Sequence, residues 1–376
     1  MPAADPFILP GGADNRTKPD SFPLPEGSAP IALAVSGGGD SMALLTMAAE
    51  ACPAAANRLI ALSVDHGLRA EARAEAEAVG RHCASIGVAH RILAWSRSRP
   101  DTGLMAAARQ ARYRLLCEAA RQAGGHVVLT GHTFDDQLET LAMRAARGDG
   151  PGMAGIAPAT LFGGRTWFLR PLLGHRRNAL RSLLRARAIA WTEDPSNADP
   201  RFERVRWRMR MAGSEAGDAA MLTGKAQAEA RRRRTVAEAA AQAIADPAIF
   251  DIGDWPDGFT LRPGGDMAPE VLAEVALQAS RLLSARAYGP VPVVRARLAA
   301  LASGGGGRAF TAGGAVFRQS GGRLSVTRDP RARAQQAGLP LLIPCFEYPL
   351  FAALAVKTGL DPLPREPAMA QSAGGL

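Results

Sequence analysis

Six consecutive residues constrain this chain more than any others. Ser36-Gly37-Gly38-Gly39-Asp40-Ser41 follow a short apolar run, Ile31 to Val35, and precede an apolar helical stretch from Met42 onward. That order is strand, tight loop, helix. Glycines let backbone N–H groups approach phosphate oxygens closely. The helix N-terminus behind them adds positive dipole character. Ser36 and Ser41 can donate hydroxyl hydrogen bonds, and Asp40 can hold Mg2+. The loop is not a Walker A motif, because no Lys-Ser/Thr pair ends it, and it is not the GxGxxG dinucleotide pattern.

The surrounding pattern predicts an α/β fold with a doubly wound, mainly parallel sheet. Strands are expected at Ile31 to Val35, Leu59 to Val64, His90 to Trp95 and His126 to Thr130. Helices alternate with them at Ala70 to Ser85, Leu104 to Gln122 and Phe134 to Arg147. Such alternation implies a parallel sheet covered on both faces. Ligands then bind beyond the carboxyl ends of the strands. Three of those ends carry polar residues: the loop at Ser36, Asp65-His66, and Gly131-His132. A hairpin is expected to lead to Trp167-Phe168-Leu169, and a helix at His175 to Ala188. From Arg201 to Arg234 the chain is Arg-rich and helix-compatible, interrupted at Gly213 and Gly217. Short strands are expected at Arg308 to Thr311, Ala315 to Arg318 and Leu324 to Thr327. The domain reading is a disordered or loosely packed leader over 1–28, the nucleotide-binding domain over 29–215, a helical linker with a smaller C-terminal α+β unit expected to bind RNA over 216–335, and a tail over 336–376.

Two charge clusters carry chemistry. His132, Asp135, Asp136 and Glu139 fall at offsets of three, four and seven, which places them on one face of a helix. Carboxylates gathered there repel one another unless they meet a cation, and Mg2+ or a substrate ammonium would supply one. The alternative is a helix N-terminus that favours acids through its dipole. The second cluster is basic: Arg201, Arg204, Arg206, Arg208 and Arg210, with Arg231 to Arg234 further on. Runs of this kind neutralise phosphates and give salt-dependent RNA affinity. The formal net charge of +10 points the same way, toward a polyanionic partner.

Composition excludes several classes. Cys52, Cys83, Cys117 and Cys345 form no CxxC pair, which argues against a structural zinc site or an iron–sulfur cluster. Dispersed thiols suit a reducing compartment. The N-terminal residues lack a basic and an apolar signal region. Pro340, Pro344, Glu347 and Pro349 interrupt the most apolar late stretch, which argues against a membrane span. A soluble cytoplasmic protein is expected.

The loop resembles the SGGxDS signature of the PP-loop ATP pyrophosphatases, whose members cleave ATP between the α and β phosphates and adenylate an oxygen of the substrate. Three further segments narrow the resemblance to the tRNA(Ile)-lysidine synthases within that group, the first of them shared with some tRNA thiolases and the second resembling the acidic box of the wider family. They are Val64-Asp65-His66-Gly67-Leu68-Arg69, Gly131-His132-Thr133-Phe134-Asp135-Asp136-Gln137-Leu138-Glu139-Thr140, and Arg170-Pro171-Leu172-Leu173 followed by Trp191 and Glu193-Asp194-Pro195-Ser196-Asn197. The resemblance covers roughly residues 30 to 210.

It implies a ligase that forms carbon–nitrogen bonds, with ATP and Mg2+ as cofactors. L-lysine and a tRNA(Ile) with a CAU anticodon would be its partners, and a homodimer is an open assembly. It assigns ATP to Ser36, Gly37, Gly38, Gly39, Asp40 and Ser41, and Mg2+ to Asp40. Arg112, within Arg109-Gln-Ala-Arg112-Tyr113, takes the ATP-phosphate contact, with Asp135 and Asp136 holding metal or the lysine ammonium. Asp65, His66, His132 and Glu139 are candidate adenine or substrate contacts. His66 is either a general base or a strand-end histidine with its hydrogen bonds satisfied. Arg204, Arg206 and Arg208 are candidate tRNA contacts. Val205 stands where the family pattern has Asn. The alternatives are a tRNA 2-thiolation enzyme, disfavoured by the distant cysteines, and a non-catalytic tRNA-binding protein.

Overall fold

A computed structural model describes residues 22–51, 57–67, 71–95, 103–148, 150–193, 199–201, 203–211, 216–253, 255–264, 267–284, 291–302, 309–331, 341–360 and 362–367. The turn at Asp194 to Asn197 and Leu68-Arg69 lie outside these residues, as does most of the leader. Phe22 and Leu24, at the end of the leader segment, are buried. Arg58 fixes the segment that follows, donating to the Pro25 and Ala29 carbonyls at 3.2 and 3.1 Å.

The chain divides into two compact units: residues 1–160, 166–230 and 366–376 form one, and residues 161–165 and 231–365 the other. In the first unit β1 (Ile31–Ala34), β2 (Leu59–Asp65), β3 (Ala89–Ala94), β4 (Val127–Thr130) and β6 (Thr166–Leu169) are placed in the order β6-β4-β1-β2-β3. Every pair among them is parallel, with Ile31 opposite both Leu59 and Val127. β5 (Ala159–Phe162) precedes β6 across a short turn. β1 and β4 are buried along their whole length, which is why they read as continuous apolar runs without alternation. The chain fills one side of β1 with β2 and β3, then crosses to the other side for β4. The carboxyl ends of β1 and β4 therefore border the crevice where the strand order reverses.

Helices α1 (Gly39–Ala51), α2 (Glu71–Ser85), α3 (Leu104–Gln122), α4 (Phe134–Ala145) and α5 (Arg177–Ala186) connect or follow these strands. In α4 the buried residues Phe134, Gln137, Leu138, Leu141 and Ala142 recur at helical spacing. Phe134 and Leu138 pack on Ala219 and Met211, so that α6 (Glu203–Met211) and the start of α7 (Ala216–Ala245) lie against α4. Gly217 does not interrupt the helix as expected. It falls in the first turn of α7, at a helix end, where the backbone entropy that makes glycine unfavourable in a helix interior weighs less.

In the second unit β7 (Phe250–Asp251), β8 (Gly258–Leu261), β9 (Ala309–Ala312), β10 (Ala315–Ser320) and β11 (Arg323–Arg328) form an antiparallel sheet in the order β7-β8-β11-β10-β9. α8 (Pro269–Ser284) and α9 (Val291–Ala302) accompany it, and Phe259, Phe317, Val326, Val275 and Leu283 are buried within the unit. Residues read as tail also carry structure. β12 (Leu342–Pro344) precedes α10 (Tyr348–Thr358), which ends at Gly359 in the left-handed conformation that caps helices. Glu347, at its start, is held by Arg233 and Arg281.

Among the described residues no helix is long and apolar enough to cross a membrane. Cys83, Cys117 and Cys345 are free thiols.

Candidate active site

The glycine loop is braced from within. Ser41 Oγ accepts the Ser36 backbone N–H at 3.1 Å and donates to the Gly38 carbonyl at 2.8 Å, and the Ser36 and Ser41 hydroxyls lie 3.2 Å apart. Gly37 takes φ 87°, which an L side chain rarely adopts. Thr192 pins the same turn from outside by donating its N–H to the Gly37 carbonyl at 2.9 Å. α1 begins at Gly39, and Met42 is the first residue to close a helical turn, donating to the Gly38 carbonyl at 3.0 Å; the N–H groups of Gly39, Asp40 and Ser41 precede that bond and can meet an anion.

The β4–α4 connection lies directly beside this loop. Thr133 is the N-cap of α4 in a reciprocal capping box with Asp136. The helix begins at Phe134, so His132 stands before it and does not share the face of Asp136 and Glu139. The sequence spacing assumed helix one turn too early. His132 instead pairs with Thr130 Oγ1 at 3.1 Å. Burial, then the charges of Arg170, Arg112, Arg109 and Arg204, hold its pKa well below the usual histidine value, so it is neutral.

The cation that the carboxylates require comes from a residue the sequence reading passed over. Arg177 donates Nε–H to Asp40 Oδ2 at 3.2 Å, Nη2–H to Asp136 Oδ1 at 2.9 Å and Nη1–H to Glu139 Oε1 at 3.3 Å. Its backbone N–H donates to Asp135 Oδ2 at 2.7 Å. Burial opposes its charge, but Asp136, Asp40, Glu139 and Asp135 outweigh burial, and its pKa is raised. A signal was present: Arg176-Arg177 opens α5, and cations at a helix N-terminus oppose the dipole. Such a pair calls for acidic neighbours.

α6 closes the cluster. Arg204 donates Nε–H to Glu139 Oε2 at 2.7 Å and Nη2–H to Asp136 Oδ1 at 3.2 Å, while Arg208 donates Nε–H to Glu139 Oε1 at 2.8 Å. Glu139, only 3% exposed, thus accepts from three guanidinium groups. Of the three arginines expected at the tRNA, only Arg206 faces away. It is exposed and caps the Pro200 and Arg201 carbonyls at 2.9 and 2.8 Å.

Asp40 has one oxygen on Arg177. The other, Oδ1, is buried and meets no hydrogen-bond partner among the described residues. Burial raises the Asp40 pKa, opposed by Arg177 and reinforced by Asp136. An acidic oxygen left open beside a glycine loop fits a divalent cation that travels with a triphosphate.

Arg109 and Arg112 lie exposed on α3. Arg109 sits 5.4 Å from the Tyr113 ring centroid. Arg112 reaches His66 electrostatically, since burial first and Arg112 second lower the His66 pKa against Asp65. His66 packs edge-on against Trp95 at 5.9 Å, and Asp65 Oδ1 accepts the Gly67 N–H at 2.8 Å. Buried Arg170 bonds the Ala157 carbonyl and Thr160 Oγ1 at 2.7 and 3.0 Å. The fields of Arg109, Arg112 and Arg170 converge on His132.

A parallel sheet with a glycine loop at its reversal point, an open aspartate oxygen and a basic wall defines a nucleotide-binding α/β domain. A family model described as a PP-loop domain matches residues 15–214. The tRNA(Ile)-lysidine synthase of Rhizobium meliloti is 40% identical over 315 residues, which is 80% of this chain and 68% of that one. That of Mesorhizobium japonicum is 50% identical over 207 residues, 52% of this chain and 46% of its own length. That of Brucella melitensis is 46% identical over 236 residues, 61% of this chain and 52% of its own. The chain belongs to the PP-loop family and, within it, to the tRNA(Ile)-lysidine synthases. It spans about half the length of the Mesorhizobium and Brucella relatives over the matched regions.

Proposed function

We propose that the protein joins L-lysine to C2 of the wobble cytidine in a tRNA(Ile) with a CAU anticodon. The observation that carries this reading is the meeting of the nucleotide loop, through Asp40, with the acidic face of α4 on one guanidinium, that of Arg177. Activation and amine transfer need neighbouring sites, and this geometry supports both. The relatives' name supplies the substrate.

Two steps balance the reaction. The cytidine O2 attacks the α-phosphorus of ATP, forming an O–P bond and releasing pyrophosphate. The lysine ε-amine then attacks C2, the C–O bond breaks, AMP leaves and the amine loses its proton. The N–H groups of Gly39, Asp40 and Ser41 at the start of α1, with the Ser36 hydroxyl, bind phosphate oxygens, while the Ser41 hydroxyl, committed to the Gly38 carbonyl, braces the loop that presents them. Arg112 and Arg109 add positive charge beside neutral His132, so the wall keeps its hydrogen-bonding capacity without adding a titrating cation. Mg2+, bound through Asp40 Oδ1, would offset phosphate charge in the first step. Asp135 orients the ammonium through Oδ1, while Asp136, both oxygens engaged by Thr133, Arg177 and Arg204, and Glu139 set the adjoining arginines. Asp65 and His66 border the base-binding side.

The outward Arg206 of α6 and the second unit carry the tRNA. Such an enzyme works in the cytoplasm.

The test is an assay with purified protein, CAU-anticodon tRNA(Ile) transcript, ATP, Mg2+ and radiolabelled lysine, with Asp40→Ala beside it. Lysine joined to tRNA by an alkali-stable bond, and lost in Asp40→Ala, is the expected result. Pyrophosphate release without lysine incorporation would move the assignment to another PP-loop activity. Bound tRNA with no turnover would favour a non-catalytic role.

A further inference from the structure

Arg177 is placed as no ordinary surface arginine is. Its side chain is 14% exposed and reaches three carboxylates on two different elements, Asp40 on α1 and Asp136 and Glu139 on α4. Its own backbone is fixed, because its N–H donates to Asp135. Each nitrogen of the guanidinium takes a different acceptor, a division that the planar fork allows and a lysine ammonium cannot reproduce. The consequence falls on Asp40. With Oδ2 engaged by Arg177, the carboxylate cannot rotate freely, and Oδ1 is the oxygen left buried and open.

We infer that Arg177 is the positioning residue of the nucleotide site: it holds Asp40 by Oδ2 and so presents Oδ1 to the divalent cation that accompanies the triphosphate. This deepens the reading above and rests on its assignment of the cation to Asp40. Arg177 itself touches neither phosphate nor cation in this scheme. It acts through Asp40, and the same guanidinium keeps α4 at a fixed distance from the loop.

The test is equilibrium binding of ATP by titration calorimetry, with Mg2+ and with EDTA, on the full chain. The proteins are wild type, Arg177→Gln, Arg177→Lys, Asp40→Asn and the double variant Arg177→Gln/Asp40→Asn. Wild type should bind ATP more tightly with Mg2+ than without. Arg177→Gln should lose tenfold or more of that magnesium-dependent gain, and Arg177→Lys should keep an intermediate part of it. In the Asp40→Asn background, Arg177→Gln should change the magnesium dependence no further, since its route is gone. A wild-type magnesium dependence in Arg177→Gln overturns the inference, as does an undiminished extra loss in the double variant. If Arg177→Gln does not fold, Arg177→Lys decides: an unchanged magnesium dependence there is equally fatal. Should wild type bind Mg–ATP normally yet join no lysine to tRNA, the ligation reading fails while the Arg177 assignment stands. A wild type that binds ATP equally with and without Mg2+ removes the assignment of the cation and this inference with it.

Discussion

Gly131 lies directly under the backbone of Asp40. A Cβ on Gly131 would stand 3.0 Å from the Asp40 carbonyl oxygen, 3.1 Å from its carbonyl carbon and 3.2 Å from the Ser41 nitrogen. These are main-chain atoms of the loop–helix junction, which no rotamer change can move aside. Gly131→Ala should therefore push the phosphate loop off β4, at a cost of about 1–3 kcal/mol. ATP affinity should fall tenfold or more, and thermal unfolding should shift down. Gly150→Ala is the control, since a Cβ there meets nothing within 4 Å. Equal behaviour of the two variants in calorimetry would show that the loop tolerates the displacement.

Glu139 carries a different burden. It is buried and accepts from Arg177, Arg204 and Arg208. Glu139→Gln removes the charge that three guanidinium groups share and turns an amide N–H toward cations. Breaking a buried ionic network of this kind costs about 3–5 kcal/mol. Arg208→Ala removes one outer partner, 34% exposed, and should cost roughly 1 kcal/mol or less. Urea unfolding of both variants checks the order. A smaller loss in Glu139→Gln than in Arg208→Ala would mean that the cluster does not stabilise the fold.

The network also shows where sequence reading reaches and where it stops. β1, β2, β3 and β4 were legible to within a residue at most ends; β1 and β4 read as short apolar runs bounded by polar residues because they are buried throughout, whereas β3 is a half-exposed edge strand marked by its place in the strand–helix alternation. The glycine loop and the acidic box were legible because each is contiguous. Arg177 was not, because its partners lie 38 to 137 residues away and nothing local marks the pairing beyond a cation at a helix start. Nor could spacing alone say which face of α6 turns inward. Arg204 and Arg208 are one turn apart and share the face turned to Glu139, whereas Arg206 falls on the opposite side.

His132 makes stability depend on pH in a defined direction. Its folded-state pKa lies well below the ordinary value of 6.5, because burial and the charges of Arg170, Arg112, Arg109 and Arg204 oppose protonation. Below pH 6.5 the unfolded chain binds a proton there that the folded chain refuses. Stability is therefore intact above 6.5 and lost as pH falls below it, by up to about 1.4 kcal/mol per pH unit for one such group. His132→Asn cannot titrate and retains a hydrogen-bonding partner for Thr130. Burial lowers His66 and His90 as well, so the measurement is the difference between the two proteins' urea midpoints from pH 5 to 8. The variant's curve should be flatter below pH 6.5, and parallel curves would show that His132 is not the group responsible.

The division of α6 leads to a test of the RNA-facing reading. Arg206 and Arg210 are exposed, and Arg210 stands 5.2 Å from the ring centroid of Trp207, while Met209 beside them is 57% exposed. Arg204 and Arg208 spend their charge on Glu139 and Asp136. If the outward set meets phosphates of a single-stranded loop, each lost contact should reduce the slope of log affinity against log salt by about 0.7. Arg206→Ala/Arg210→Ala should then weaken tRNA binding across the salt range and flatten that slope, with ATP affinity and thermal stability unchanged. Arg204→Ala should do the reverse: it should lower stability and disturb ATP binding, with the salt slope kept. Filter binding between 50 and 200 mM salt, conditions in which phosphate contacts separate clearly, decides between them. A slope unchanged in the outward pair would move the tRNA contacts off this helix, whatever the fate of the ATP site.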